Sequence, residues 1–287
     1  KINGRFIIDK CELKETVTLS HLETSDFLFR YVTISSESNV DFIGFGIASN
    51  YQIKIMNCTF NNAIVLDGST AKLSVEVKHC KLSSKSGSNI IQHDRDIKKF
   101  DETALSLSEM ATKKIDITQN QITSGNLDLS DSETIFFKDN SDIYKQLKKE
   151  GGHINIKGFR YNYLKNPSGL SQSNISGEKN NYYEINIANE RIEWLNTQSK
   201  FYLYENFNPQ PWKTLQRALL SQGYKEASDQ IAIESNRQAL RSGKFNFGRS
   251  LSSKLLDIFG NYGYSPWLTI KASLVSIILF SLFWAYI

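Results

Sequence analysis

The sequence predicts a mainly β chain: a solenoid of short stacked strands over residues 1–164, then an α-helical hairpin, then a C-terminal transmembrane helix. Three observations predict it. An eight-residue pattern, apolar at positions one, three, six and eight, recurs along the first 161 residues. Beyond it the apolar spacing becomes helical. From Ala272 to Ile287, 16 residues pass without a charge.

Composition sets the bounds. The 287 residues are 40% apolar and 22% charged, an ordinary globular balance. A net charge of +4 is too mild to imply nucleic acid without a concentrated patch, so no nucleic-acid partner is expected. Cys11, Cys58 and Cys80 make an odd count in a long chain, which argues against a disulfide framework. The chain starts at Lys1 and stops at Ile287 inside an apolar run, and reads as a segment of a longer protein.

The repeat reads FIIDKCEL from Phe6, FLFRYVTI from Phe27, IKIMNCTF from Ile53 and VEVKHCKL from Val75. It continues as IDITQNQI from Ile115, IFFKDNSD from Ile135 and INIKGFRY from Ile154. The interval of 40 between Val75 and Ile115 is about twice the others and predicts a decayed start near residue 94, for about eight rungs. A second apolar pair keeps the same phase: Val17 and Leu19, Ile64 and Leu66, Leu105 and Leu107, Leu127 and Leu129. Apolar residues one apart point to the same side of a strand, and the two-residue gap after position three suits a corner. Rungs of this kind stack through backbone hydrogen bonds. The sixth position predicts one inward column of Cys11, Val32, Cys58, Cys80, Asn120, Asn140 and Phe159. The thiols read as small buried side chains. No His or Cys partner stands at ligand spacing, so neither metal nor cofactor is expected.

DKCEL, MNCTF and KHCKL resemble units of the pentapeptide-repeat family. That resemblance implies a right-handed quadrilateral β-helix. Many faces here are not five-residue units, so the implied solenoid is irregular, with loops bulging near residues 36–50 and 83–112.

Residues 165–210 are expected to form a loop and a capping helix, the latter over Tyr182 to Gln198. In 211–247, Pro211 suits a first helical position, Trp212, Leu215 and Leu219 share a face, and Gly223 ends the helix. A second helix starts near Lys225, with Ala227, Ile231 and Ala232 facing back. Trp212, Leu215, Gly223, Tyr224 and Ala227 resemble one tetratricopeptide-type pair. It reads either as a packing cap or as a partner-binding hairpin.

In 248–287, Leu251, Leu255, Leu256 and Phe259 line one side of a basic amphipathic stretch that precedes the apolar run. The residues expected to flank a membrane are Arg237, Arg241, Lys244, Arg249, Lys254, Trp267 and Lys271. This basic flank lies on the solenoid side, which places the solenoid in the cytoplasm. The order of segments, with GYSPW before the apolar run, resembles bacterial membrane proteins that carry pentapeptide-like repeats, a helix pair and a GYG-x-x-PW segment. That implies the bacterial inner membrane. Some of that group continue into a channel pore, so a regulatory domain of an ion channel or membrane effector, with its pore beyond Ile287, is one alternative.

The densest cluster of catalytic residue types is His93, Asp94, Arg95 and Asp96. It falls in the decayed rung and reads as a solvated loop; a carbohydrate-active β-helix enzyme is the alternative it leaves. No phosphate-binding glycine loop, nucleophile elbow or metal motif is present. The sequence is therefore expected to encode a non-catalytic binding, sensing or scaffolding module. Its expected partners are a lipid bilayer and either a protein or a second copy of itself.

Overall fold

The computed structural model describes residues 2, 4–35, 40–84, 103–165, 178–243, 264 and 266–286. The first half is a parallel β-solenoid of about six turns. A rung begins with a longer strand, turns a corner into a two-residue strand, and turns again into a third. The first rung is β1 (Arg5–Asp9), β2 (Glu12–Leu13) and β3 (Val17–Ser20). The second is β4 (Glu23–Arg30), β5 (Thr33–Ile34) and β6 (Val40–Phe45), and the third β7 (Ala48–Met56), β8 (Thr59–Phe60) and β9 (Ala63–Val65). The fourth splits its first strand into β10 (Thr70–Ala71) and β11 (Ser74–Lys78), followed by β12 (Lys81–Leu82) and β13 (Thr103–Ser106). The fifth is β14 (Ala111–Asp116), β15 (Gln121–Ile122) and β16 (Asn126–Asp128). In the sixth, β17 (Glu133–Lys138) is followed by helix α1 (Ser141–Lys149) and β18 (Ile154–Asn155), and β19 (Arg160–Lys165) opens a further turn.

Like positions stack into three parallel sheets. In the first sheet Phe6, Phe27, Ile53 and Val75 are in register, Val75 pairs with Ile115, and Ile115 pairs with Phe137. The second carries Leu13, Ile34 and Phe60, with Leu82 next to Ile122. The third carries Val17, Phe42, Ile64, Leu105, Leu127 and Ile154. These inward residues are the core. Phe27, Phe29, Phe42 and Phe60 are fully buried, and Phe29 meets Phe42 edge-on at 5.3 Å and stacks on Phe60 at 5.9 Å.

The corners share one backbone device. Lys10, Tyr31, Asn57, His79 and Gln119, all just before the cysteine column, have φ between 52° and 63°. At a second corner His21, Gly46, Gly68, Glu109, Asp131 and Gly158 repeat it, with φ between 53° and 74°. A left-handed residue with a side chain costs roughly 1–2 kcal/mol. Here the corner amides bond to the next rung, as from Tyr31 to the Met56 carbonyl (3.1 Å) and from Glu109 to that of Ser130 (2.9 Å).

Helices close the far end. Trp194 of α2 (Glu178–Leu195) lies against Phe137 at 6.2 Å and Tyr161 at 6.5 Å. Arg191 of the same helix forms a bidentate pair with Asp139, at 2.8 and 2.7 Å, both side chains 2% exposed. Asp139 stands just after β17, where Ile117 stands after β14, so a carboxylate occupies an inward apolar position. Helix α3 (Gln210–Ser221) covers β19. Unpaired backbone on that last strand is met by two side-chain amides, which supply the donors and acceptors a further strand would. Gln210 accepts from the Gly158 amide (3.0 Å) and donates to the Phe159 carbonyl (2.8 Å). Gln222 accepts from the Leu164 amide (3.0 Å) and donates to its carbonyl (2.8 Å). Helix α4 (Lys225–Arg241) packs on α2 and α3 with Ala227 and Ile231 fully buried, and α5 spans Pro266–Tyr286.

Several expectations are corrected. Val75 pairs directly with Ile115, so the 40-residue interval is one turn; no rung starts near residue 94, and the turns number about six rather than eight. The extra residues fall between β12 and β13, and 85–102, with most of the loop expected near 83–112, lie outside the described residues. Ile135 is not a pattern start, because Phe137 is the residue that pairs with Ile115. Ile154 pairs with Leu127 and belongs to the third sheet. The second slip follows from α1, which replaces a strand of the second sheet, with Ile143 and Leu147 filling that side. The cysteine column accordingly holds from Cys11 to Asn120, whereas Asn140 precedes α1 and Phe159 lies at another corner. Of the loop expected near 36–50, residues 36–39 lie outside the described residues and the rest is largely strand, in β6 and the start of β7. Four equal faces give way to three sheets. The first is broken by a register shift between Thr24 and Asp26, and bulges of this kind bend a strand.

Candidate functional site

Two kinds of surface stand out: the outer faces of the solenoid and helix α5. At about 1.5 Å per residue, the 21 residues of α5 extend about 31 Å. Its described large apolar side chains, among them Trp267, Leu274, Val275, Ile277, Ile278, Leu279, Leu282 and Trp284, are 49–65% exposed. Leu274, Val275, Ile277, Ile278 and Leu279 fall on five of six consecutive positions and so spread over about 200° of the helix circumference. Ser281 satisfies its hydroxyl on the Ile278 carbonyl at 2.9 Å. Lys271 stands 5.8 Å from the centre of the Trp267 ring at the N-terminal end. Taken over residues with described side chains, no helix is long and apolar enough to cross a membrane. In α5 the longest consecutive run of such residues is 273–279.

Of the expected membrane-flanking residues, Arg237 and Arg241 lie on the last turns of α4 and share Glu234, at 3.8 and 2.7 Å. Trp267 and Lys271 lie on the first turns of α5. Lys244, Arg249 and Lys254 fall outside the described residues. So do His93, Asp94, Arg95 and Asp96.

The solenoid carries two polar clusters that composition alone did not single out. On the first sheet, in-register pairing sets Glu76 beside Asp116. Like charges directly opposite destabilise a ladder. Lys78 and Lys114 resolve the conflict by bridging both carboxylates, at 2.9 and 3.0 Å to Asp116 and 3.1 Å each to Glu76. Burial pushes the Asp116 carboxyl up, but hydrogen bonds from Lys78, Lys114 and Thr118 outweigh it and hold its pKa at about 2. On the third sheet Asp67 accepts from the Ser106 hydroxyl and from the Ser108 amide (3.2 Å), while Asp128 accepts from the Ser130 amide (2.8 Å) and from Asn155 (3.2 Å). Burial raises the Asp67 carboxyl against the hydrogen bonds of Ser106 and Ser108, and the charge of Asp128 adds to the rise.

The cysteines are free thiols, with Cys58 and Cys80 buried. A hydrogen bond from Cys80 draws the Cys58 thiol down against burial, and the same contact pushes Cys80 up. Asn120 ends the column by accepting from the Cys80 amide (3.0 Å) and donating to the carbonyls of Val77 (2.7 Å) and Ile117 (2.9 Å). Among the described residues no three His, Cys, Asp or Glu side chains gather to hold a metal. An open groove of about 470 Å³ runs across the first turns, lined by Gly4, Ser25, Asn50, Thr70 and Lys72 among others. In both polar clusters most groups are buried, Asp116, Ser106, Ser108, Asp128 and Ser130 among them, and their bonds tie one rung to the next. No family model, curated protein or solved structure matches the chain.

Proposed function

We propose that this protein is a non-catalytic scaffold, a β-solenoid held at a lipid bilayer by α5 and facing the cytoplasm. The observation that carries the reading is that every described large apolar side chain of α5 is exposed. A soluble helix buries one stripe and wets the other, whereas a spanning helix has no polar face. Its length of about 31 Å matches the roughly 30 Å hydrocarbon core of a bilayer. The back-bonded Ser281 suits that environment, and Trp267 and Lys271 suit the headgroup level. The basic residues preceding α5 favour the cytoplasmic side for the solenoid. The rigid solenoid then displays its polar faces to a protein partner or to a second copy.

Fractionation of cells expressing the full chain tests the anchor. The chain is expected in the membrane pellet after an alkaline carbonate wash. Leu274→Asp with Ile278→Asp, at about 2.5–3.5 kcal/mol each for a charge at a span's centre, is expected to release it. A folded chain that stays in the washed supernatant without any substitution overturns the reading.

A further inference from the structure

The turn between α2 and α3 offers a second contact with lipid, an inference that rests on the membrane reading above. Phe201–Glu205 form a π-helical turn, a rare geometry that recurs at functional sites. Leu203 faces inward, while Phe201 and Tyr204 are 49% and 42% exposed. Gln238, itself 1% exposed, ties this turn to α4: its amide donates to the Leu203 carbonyl at 2.9 Å, and its oxygen accepts from Arg241 at 3.3 Å. The arginine is therefore fixed beside the aromatic turn, with its side chain 53% exposed. Arg237 and Arg241 both pair with Glu234, which sets the two guanidinium groups side by side.

We propose that Phe201, Tyr204 and Arg241 rest in the headgroup layer of the bilayer that holds α5. Aromatic rings and arginine are the side chains that favour this layer, and anionic headgroups complement the half-exposed Arg241. Continuity favours lipid over a protein partner. Arg241 ends α4, and the sequence from there to α5 carries Lys244, Arg249 and Lys254 against Asp257. A solenoid with this second contact is held at a defined tilt and does not swing freely about one helix.

The test uses the full chain with Cys11→Ser, reconstituted into vesicles of phosphatidylcholine and phosphatidylglycerol. Spin labels are placed by Glu205→Cys beside the turn, by Val275→Cys on α5, and by Tyr51→Cys on the solenoid. Collisions with a water-soluble nickel chelate and with oxygen then report depth. The label at 205 is expected to show several-fold fewer nickel collisions than that at 51, with 275 deeper still. Adding Phe201→Ser and Tyr204→Ser is expected to return the 205 label to the value at 51. If 205 matches 51 while 275 lies in lipid, the headgroup contact is wrong and the anchor stands. If 205 is shielded from both reagents, a protein covers the turn and the lipid assignment fails. If 275 itself reads as water, the anchor and the contact fall together.

Discussion

Phe29 and Ile55 in the solenoid and Ile278 and Leu282 in α5 are similar side chains in opposite surroundings. The first two are wholly buried, and the last two are 56% and 62% exposed. In the solenoid each rung presents its apolar residues to the rung beside it, so the backbone ladder and the core form together. In α5 the backbone bonds are satisfied within the helix, and no ladder supplies an apolar neighbour. The contrast separates two arrangements: stacked rungs that bury their apolar residues, and a helix that leaves them exposed.

Core truncation should break the comparison most strongly. Phe29→Ala is expected to cost about 3–5 kcal/mol, read as a lower urea midpoint of the solenoid in detergent. A loss under about 1 kcal/mol would mean that the rungs hold through their backbone ladder with little help from the core. At the capped end, Arg191→Met leaves Asp139 buried without its partner, for an expected loss of about 3–5 kcal/mol. Adding Asp139→Leu should recover most of that loss; a double variant as unstable as the single one would show that the packing of Arg191, and not its charge, is what the cap needs.

Acid probes the outer face. The carboxyl of Asp116 is held down at about 2 in the folded chain, below its ordinary value of about 3.9 when unfolded. A depressed carboxylate contributes stability that is present above the unfolded value and lost as pH falls through the folded one. Between roughly pH 4 and pH 2 the solenoid should therefore lose up to about 2 kcal/mol through this group. Asp116→Asn should flatten that part of the pH–stability curve, and an unchanged slope would remove the ion network from the account. The smallest effect is expected on the other side of the comparison. Val275→Ala should move the urea midpoint of the solenoid by less than about 0.5 kcal/mol. A larger shift would show that α5 packs against the solenoid.

The inward columns were legible from Phe6 to Ile122 because alternation with a period of two is local and each apolar pair announces its face. The reading slipped at Ile135. IFF offers three successive apolar residues, and only the hydrogen-bonded neighbour shows that Phe137 is the one in register. The Arg191–Asp139 pair was not legible, because its members are 52 positions apart and Asp139 stands where the pattern calls for an apolar residue. Gln210 and Gln222 stand at the two ends of α3, and their use as substitutes for a strand depends on which edge α3 meets. Of the flanking cations, Arg237 and Arg241 were recognisable as charge, while their shared carboxylate and the link through Gln238 to the π-helical turn came from packing.

By itself the sequence determined the strand periodicity, the helix pair that begins near Pro211 and the uncharged character of the last segment. Each of these follows from interactions within a few residues along the chain. Only the tertiary structure decided which rungs are neighbours, that a helix stands in for a strand in the sixth turn, and how the far end of the stack is closed. Loop-closure entropy grows only slowly with length, so a turn of 20 residues and one of 40 can bring the same two strands together at a similar cost. Spacing along the chain is then a poor guide to stacking, and hydrogen bonds between rungs make the choice.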